Sequence, residues 1–505
     1  MSSKKFKDFS DRLVRILASR RFYRVVLVLF VVESAWIAFS ALYPQAFDEN
    51  FHFGLIQIYS HHWLPFLSGQ PLHADAYGAV ARDPSYFYQY VMSFPYRFMT
   101  LFTHSQAALV IAMRLIDVAL FTVGLALFHR LLRRVGLSRS LSNVSLLLFI
   151  LIPIVPALAA QINYDDLLFP LTAWICLQTF NVIDELKARK PSAMSLLKLL
   201  AIALFACLVK YAFLPMLLSI VLVLGIIIYK TFRHDFDAFL KTMAASFGAA
   251  PLWAKLLLPG LCLVAIGLLG QREGVNLVKY HAVVPDCSRV LSVQRCSAYS
   301  PWYVDYQRHQ QVVSGVTPAS ENIILYTVKW FYWMWYRLFF AVNGTASNFN
   351  TLPPLPLPSL AAALVGITGV AAIIKWRRRL LHNNPYLLFL LTLCVVYSAS
   401  LFAKGYATYK HTAVLENMNG RYLIPILLPL IAVMGLAFSL SLRRSLPRKA
   451  AAILVVLVLF LEGGGLLTFL VRSDQTWYWE NPTVLRVNNT AHNVVRHVVV
   501  RRPSD

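Results

Sequence analysis

The chain has 505 residues, 58% of them hydrophobic and only 14% charged, with a mean hydropathy of +0.59 and a formal net charge of +24. That is more apolar material than a water-soluble core needs, so an all-α integral membrane protein is expected. The basic excess does not point to nucleic acid, because no basic run interleaves with aromatics outside the apolar stretches. It reads instead as a topology signal and an attraction to anionic lipid headgroups.

A spanning helix needs roughly 20 mainly apolar residues. Runs of that kind lie at 24–43, 107–129, 140–159, 167–183, 197–213, 214–229, 252–270, 358–374, 386–403, 422–441 and 450–471, so about eleven transmembrane helices are expected. More than half of the 47 basic residues fall in KKFKDFSDRLVRILASRRFYR, HRLLRRVGLSR, DELKARKPSAMSLLK, YKTFRHDFDAFLK, KWRRR and RRSLPRK. These stretches alternate with loops poor in Lys and Arg, which sets the N-terminus in the cytoplasm. The first span lacks a small-residue cleavage site and reads as an uncleaved anchor in the plasma membrane. Long outside stretches are then 44–106, 271–357, 404–421 and the tail after Val471. A catalytic module at 1–350, further transmembrane helices at 351–471 and a short outside tail at 472–505 are the expected divisions.

Within the first outside loop, NFHFGLIQIYSHHWLPFLS puts Phe51, Leu55, Ile58 and Tyr59 on one helical face, and SYFYQYVMSFPYRFMTLF is aromatic with Pro95 inside it. Both suit helices lying in the interface plane. The segment 321–342 is apolar, yet counting it as a span would invert the charge bias of every later loop, so it is expected to be interfacial or re-entrant. TLPPLPLPS at 351–359 reads as a stiff polyproline-like link. Cys287 and Cys296, nine apart in a polar outside segment, suit a disulfide, whereas Cys176, Cys207, Cys262 and Cys394 lie in apolar spans.

Two adjacent acid pairs meet one membrane face: Asp48 and Glu49 in YPQAFDENFHF, and Asp165 and Asp166 in AQINYDDLLFPL. An acid at a helix N-terminus stabilises the helix by about 0.5–2 kcal/mol without any further role. Two pairs in loops that hold few other acids favour a site instead. Carboxylates at that place suit a hydroxyl attacking the anomeric carbon of a sugar on a lipid phosphate, where one carboxylate must take the proton. The leaving phosphate then needs cations or a divalent metal. Lys210 in CLVKYAFLP and Arg421 in MNGRYLIPILLPL lie at the same face, each followed by Tyr (Tyr211, Tyr422); snorkelling to headgroups is the alternative for both. Arg114 can pair with Asp117 three residues on, or with Glu33 of the first span. Glu462 is a lone acid in a Gly-interrupted span.

The segments AFDENFHFGLIQIY, INYDDLLFPL, LVKYAFLP and GRYLIPILLPLI carry an acid directly after the first span, interfacial helices, an N-x-D-like motif and a late Arg-Tyr pair. In these features the chain resembles the polytopic GT-C glycosyltransferases, the group that contains protein O-mannosyltransferases and lipid A aminoarabinose transferases. The resemblance implies a GT-C-like fold with its site at the outer face, a polyprenyl-phosphate-linked sugar donor, a glycan, lipid or protein acceptor, and inversion at the anomeric centre. By this likeness Asp48 is the base, with Glu49 as its neighbour and substitute and His52 orienting the acceptor. Asp165 and Asp166 would hold a divalent ion (Mg²⁺ or Mn²⁺) or sugar hydroxyls, and Lys210, Arg421, Tyr422 and Arg114 would bind the donor. No DxD motif is present, and acceptor recognition would rest on 271–357. A polymerase or ligase of lipid-linked glycans would use the same donor; a transporter would place its polar groups at the bilayer midplane rather than at one face.

Overall fold

The structure, a computed structural model, describes residues 3–45, 48–67, 69–319, 321–338, 356–382, 384–415, 418–442, 452–456 and 465–499. Over these residues there is no strand, only one isolated β-bridge between Ala41 and Tyr478. In chain order the first helices are α1 (Ser3–Leu17), α2 (Arg20–Ser40), α3 (Glu49–Ser60), α4 (Phe87–Thr100), α5 (Gln106–Val135), α6 (Arg139–Ile150), α7 (Ile154–Ala159), α8 (Tyr164–Lys187), α9 (Ala193–Val209), α10 (Leu214–Phe232), α11 (Phe236–Ala249) and α12 (Leu252–Leu269). Helices Pro356–Leu381 and Pro385–Thr412 and the helical stretch Gly420–Ser441 continue the bundle.

Seven stretches among the described residues are long and apolar enough to cross a membrane: Arg20–Ser40, Gln106–Val135, Tyr164–Lys187, Tyr211–Phe232, Leu252–Tyr280, Pro385–Thr412 and Gly420–Ser441. Over the described residues the architecture is that of an all-helical membrane protein, with seven stretches of spanning length set against about eleven expected for the whole chain. The run at 140–159 is not one span but two helices, α6 and α7, because Pro153 and Pro156 bring no backbone N–H and crowd the preceding turn. Helix α9 has 17 residues, at the lower limit for a span. Pro356 and Pro358 sit in the first turn of Pro356–Leu381, where a missing N–H costs little, so that part of the proline run starts a helix rather than forming an extended link. The run at 450–471 is described only at 452–456 and from Gly465 onward; Glu462 and RRSLPRK lie outside the described residues.

Local sequence sets the helix ends. The side chains of Ser19, Ser105, Ser138, Asn163 and Ser192 each accept a hydrogen bond from a backbone N–H in the first turn of α2, α5, α6, α8 and α9. The first-loop helices α3 and α4 have 12 and 14 residues, about 18 and 21 Å at 1.5 Å per residue, too short to span. The aromatic segment in the later loop forms a 16-residue helix, Ile323–Leu338, packed through Tyr326 and Trp330 on Phe402 and Tyr406. Lipid tails are as apolar as Leu, so shape rather than hydrophobicity joins the spans. Phe169 of α8 stacks on Phe121 at 4.1 Å and lies 4.7 Å from Phe128 and 5.5 Å from Phe149. Gly124 leaves room for that ring, since a Cβ there would come within 2.4 Å of it.

Three long-range ties hold one end of the bundle. Arg272, in a π-helical turn at Gly270–Gly274, is fully buried and donates to Val80 O, Pro65 O and Tyr59 Oη, with Tyr86 stacked on its guanidinium at 4.3 Å. Arg295 makes a bidentate pair with Asp75, and Cys287 and Cys296 form the expected disulfide, so the segment after α12 is laced onto the first loop. At the C-terminal end of α2, Leu42 N donates to Trp477 O at 2.8 Å and Trp479 N to Ser40 O at 3.1 Å. Asn488 joins the same clasp through Trp36 Nε1 and Ser40 Oγ.

Candidate active site

Asp48 stands at the head of α3 with φ 69° and ψ 25°, a left-handed conformation that costs a non-glycine residue about 1 kcal/mol or more. Its carboxylate caps nothing in that helix. It instead receives Arg421 NH2 at 3.0 Å, with the Asp48 side chain 57% exposed and that of Arg421 only 7%. The carboxylate can be reached by solvent and has Arg421, His52 and Lys210 around it. Burial alone would raise its pKa; Arg421, with His52 and Lys210, outweighs that and holds it below the usual carboxylate range. Asp48 is therefore ionised at neutral pH and able to accept a proton.

Across from it, Lys210 Nζ donates to Asp165 Oδ1 at 2.6 Å, both side chains being buried. The ammonium also lies 4.3 Å from the Tyr164 ring and 5.3 Å from the Tyr422 ring, and Arg421 lies 5.2 Å from Tyr422. Neither cation snorkels. The sequence folds this way because α9 ends at Lys210 in extended backbone while Asn163, not an aspartate, caps α8. Asp165 is thus free of the helix end and turned to the ammonium.

His52, one turn into α3 from Asp48, is 2% exposed and meets the Tyr164 ring edge-on at 4.5 Å. Burial pushes its pKa down to about 3, against the pull of Asp48 and Asp165, so the imidazole is neutral at physiological pH. In the amide orientation that satisfies its neighbours, Gln89 donates to Ser85 O and Tyr86 O and accepts from His52 Nδ1 at 2.9 Å. That fixes the proton on Nδ1 and leaves Nε2 with a lone pair. Tyr299, from the segment laced over the first loop, packs on Phe51 at 5.9 Å and lies within electrostatic range of Asp48.

Six expected residues thus converge: Asp48, His52, Asp165, Lys210, Arg421 and Tyr422. Glu49 and Arg114, expected in catalysis and donor binding, do not join them. They form a fully buried ion pair behind the site, Arg114 Nε and NH2 each 2.7 Å from a Glu49 oxygen. Glu49 also accepts from Gln45 N and Ile162 N, and Arg114 donates to the carbonyls of Ala38, Ala41 and Leu42. With each oxygen of Glu49 accepting two bonds and Arg114 committed to backbone carbonyls, neither group has reach for a substrate. The partner of Arg114 is neither Asp117 nor Glu33; Asp117 accepts from Tyr88 Oη at 2.7 Å.

Asp166 is also set back, fully buried with no hydrogen-bond partner for either oxygen among the described residues. A hard divalent cation takes six or more oxygen ligands. Here one Asp165 oxygen is held by an ammonium, and among the described residues no three His, Cys, Asp or Glu side chains are grouped to hold an ion. With these two carboxylates, a divalent ion at Asp165 and Asp166 would take its remaining ligands from water and a donor phosphate.

Sequence reasoning missed Gln89, Tyr164 and Tyr299. Only Tyr164, adjacent to the acid pair, carried a local signal; Gln89 and Tyr299 arrive through the packing of α4 and of the laced segment. Comparison with protein-family models, with curated proteins and with solved structures gave no match.

Proposed function

We propose that the chain is an inverting membrane glycosyltransferase, moving a sugar from a polyprenyl-phosphate donor to a hydroxyl of a glycan, lipid or protein acceptor at the outer face of the plasma membrane. The observation that carries the reading is Asp48: an ionised, reachable carboxylate in strained backbone that caps no helix and faces two buried cations. The Lys and Arg bias of the loops and the disulfide of the laced segment favour the outer side for this end.

In the reaction the acceptor oxygen forms its bond to the anomeric carbon as the bond from that carbon to the phosphate oxygen breaks. The hydroxyl proton passes to an Asp48 oxygen, and His52 Nε2 orients the hydroxyl as a neutral acceptor. Lys210 and Arg421 take up the charge of the leaving lipid phosphate, which is well served by buried cations in a low-dielectric site. Tyr164 and Tyr422 flank the sugar. Before the donor arrives, two carboxylates balance the two cations; the phosphate competes for Arg421 and loosens its hold on Asp48, so the base is released as the donor binds.

The test is transfer of radiolabelled sugar from a panel of polyprenyl-phosphate donors by membranes holding equal amounts of wild type, Asp48→Asn and Asp165→Asn. Loss of the base should cost about 10²–10⁴-fold in Asp48→Asn. Equal transfer by wild type and Asp48→Asn refutes the assignment.

A further inference from the structure

At the opposite end of α2 from Asp48, about 30 Å away along 21 residues, lies a cavity of about 640 Å³ walled by Arg20, Arg24, Arg130, Arg133, Arg134 and Arg139. No carboxylate lines it among the described residues. Arg134 is engaged by Asn181 and Asp184, and Arg133 by Leu137 O, but Arg20, Arg24, Arg130 and Arg139 have no hydrogen-bond or ion-pair partner among the described residues. Two helices begin at its wall: α2, capped by Ser19, and α6, capped by Ser138, with Ser19, Arg20 and Arg139 all lining the space. Helix N-termini carry partial positive charge and add to the field of the guanidinium groups. A buried framework holds the shape: Asn143, 2% exposed, donates to Leu17 O and accepts from His129 Nε2, while Tyr23 stacks on His129 at 4.3 Å.

A charge bias for topology requires only that basic residues lie on one side of the membrane. It does not require six arginines from three helices around one cavity, nor two helix starts there. We infer that this cavity is a binding site for the phosphate of an anionic lipid headgroup, independent of the reaction proposed above. Guanidinium forks match phosphate oxygens in pairs. A lipid rather than a free phosphate is favoured because Val25 and Val28, directly beyond Arg24 on α2, are 60% and 61% exposed and offer an acyl chain an apolar surface continuous with the cavity rim. The amphipathic α1, which ends just before Ala18 and Ser19 of the cavity wall, adds exposed Phe9 and Ile16.

The experiment uses the full chain in neutral detergent and follows thermal unfolding by tryptophan fluorescence as phosphatidylglycerol, phosphatidylcholine or inorganic phosphate is added. Wild type is compared with Arg130→Gln/Arg139→Gln, with Arg20→Gln/Arg24→Gln as a second pair, and with Arg377→Gln/Arg378→Gln as a control outside the cavity. Phosphatidylglycerol should stabilise wild type and control alike, and each cavity pair should need about 30-fold more of it for the same shift. Equal weakening in the control would mean diffuse surface charge and overturn the site. So would the absence of any phosphatidylglycerol effect, or an equal effect of phosphatidylcholine. Stabilisation by inorganic phosphate equal to that by phosphatidylglycerol at the same concentration would overturn the lipid as ligand.

Discussion

The pair Glu49 and Arg114 gives a prediction that separates framework from chemistry. Both side chains are fully buried, and between them they make seven hydrogen bonds, four of them accepted by Glu49. At an effective dielectric constant of about 20 and a charge separation near 4 Å, the attraction is about 4 kcal/mol. Removing one partner also leaves the other charge desolvated and unpaired, and breaking buried pairs in this way costs about 3–5 kcal/mol. Arg114→Met should therefore lower the unfolding free energy by about 3–5 kcal/mol, for it strands the carboxylate and three backbone carbonyls. Glu49→Gln should cost less, about 2–3 kcal/mol, because the amide still offers an acceptor to Ile162 N or Gln45 N. The double variant should lose less than the sum of the two, with a coupling of about 2 kcal/mol or more. Equilibrium unfolding in micelles, read by tryptophan fluorescence, measures all three. Additivity within about 0.5 kcal/mol, or an unchanged Arg114→Met, would refute the framework role. A Glu49→Gln protein of full stability and no transfer would return Glu49 to the chemistry.

Two further outcomes follow from the site. Asp48 has a folded-state pKa below its ordinary 3.8, so the stability it adds is complete above that value and is lost as pH falls through the lower folded value. The acid limb of transfer activity should accordingly lie below pH 3.8 in wild type, and Arg421→Gln, which removes the largest opposition to burial while His52 and Lys210 remain, should move it up. An unmoved limb in the pH profile would mean that Arg421 does not hold the base. Gly420→Ala would set a Cβ 2.4 Å from the Leu338 backbone, and the forced shift should cost about 1–3 kcal/mol, seen as an earlier unfolding transition; a neutral effect would show that Ile323–Leu338 does not pack there.

Much of the site was legible because polar residues are conspicuous in an apolar chain. Asp48, Asp165, Lys210 and Arg421 could each be found as a charge at the end of an apolar run. What the sequence does not carry is which of two adjacent acids meets the buried cation. Glu49 opens α3 while Asp48 precedes it in left-handed backbone, and the choice is made by Arg114 from α5, which claims Glu49 across 65 residues of chain. The same holds for Asp165 and Asp166, divided by the reach of Lys210. Among the helices, α3, α4 and Ile323–Leu338 were readable from length and charge bias, whereas the break between α6 and α7 depends on Pro153 and Pro156, which hydropathy alone passes over. Arg272, Gln89 and Tyr299 act through contacts between distant segments, for which no local pattern exists.

The clasp at the end of α2 bears on how the protein is made. Ser40 and Leu42, six to eight residues before Asp48, are held by Trp477, Trp479 and Asn488, more than 430 residues later in the chain. A ribosome delivers α2 to the membrane long before it reaches those residues. During synthesis the backbone leading into Asp48 therefore has its ties to Arg114 but lacks the clasp, and its final shape is completed only after the bundle has been threaded. The alignment of these charges is in this way a property of the finished molecule, and a stalled or truncated product carries them without it.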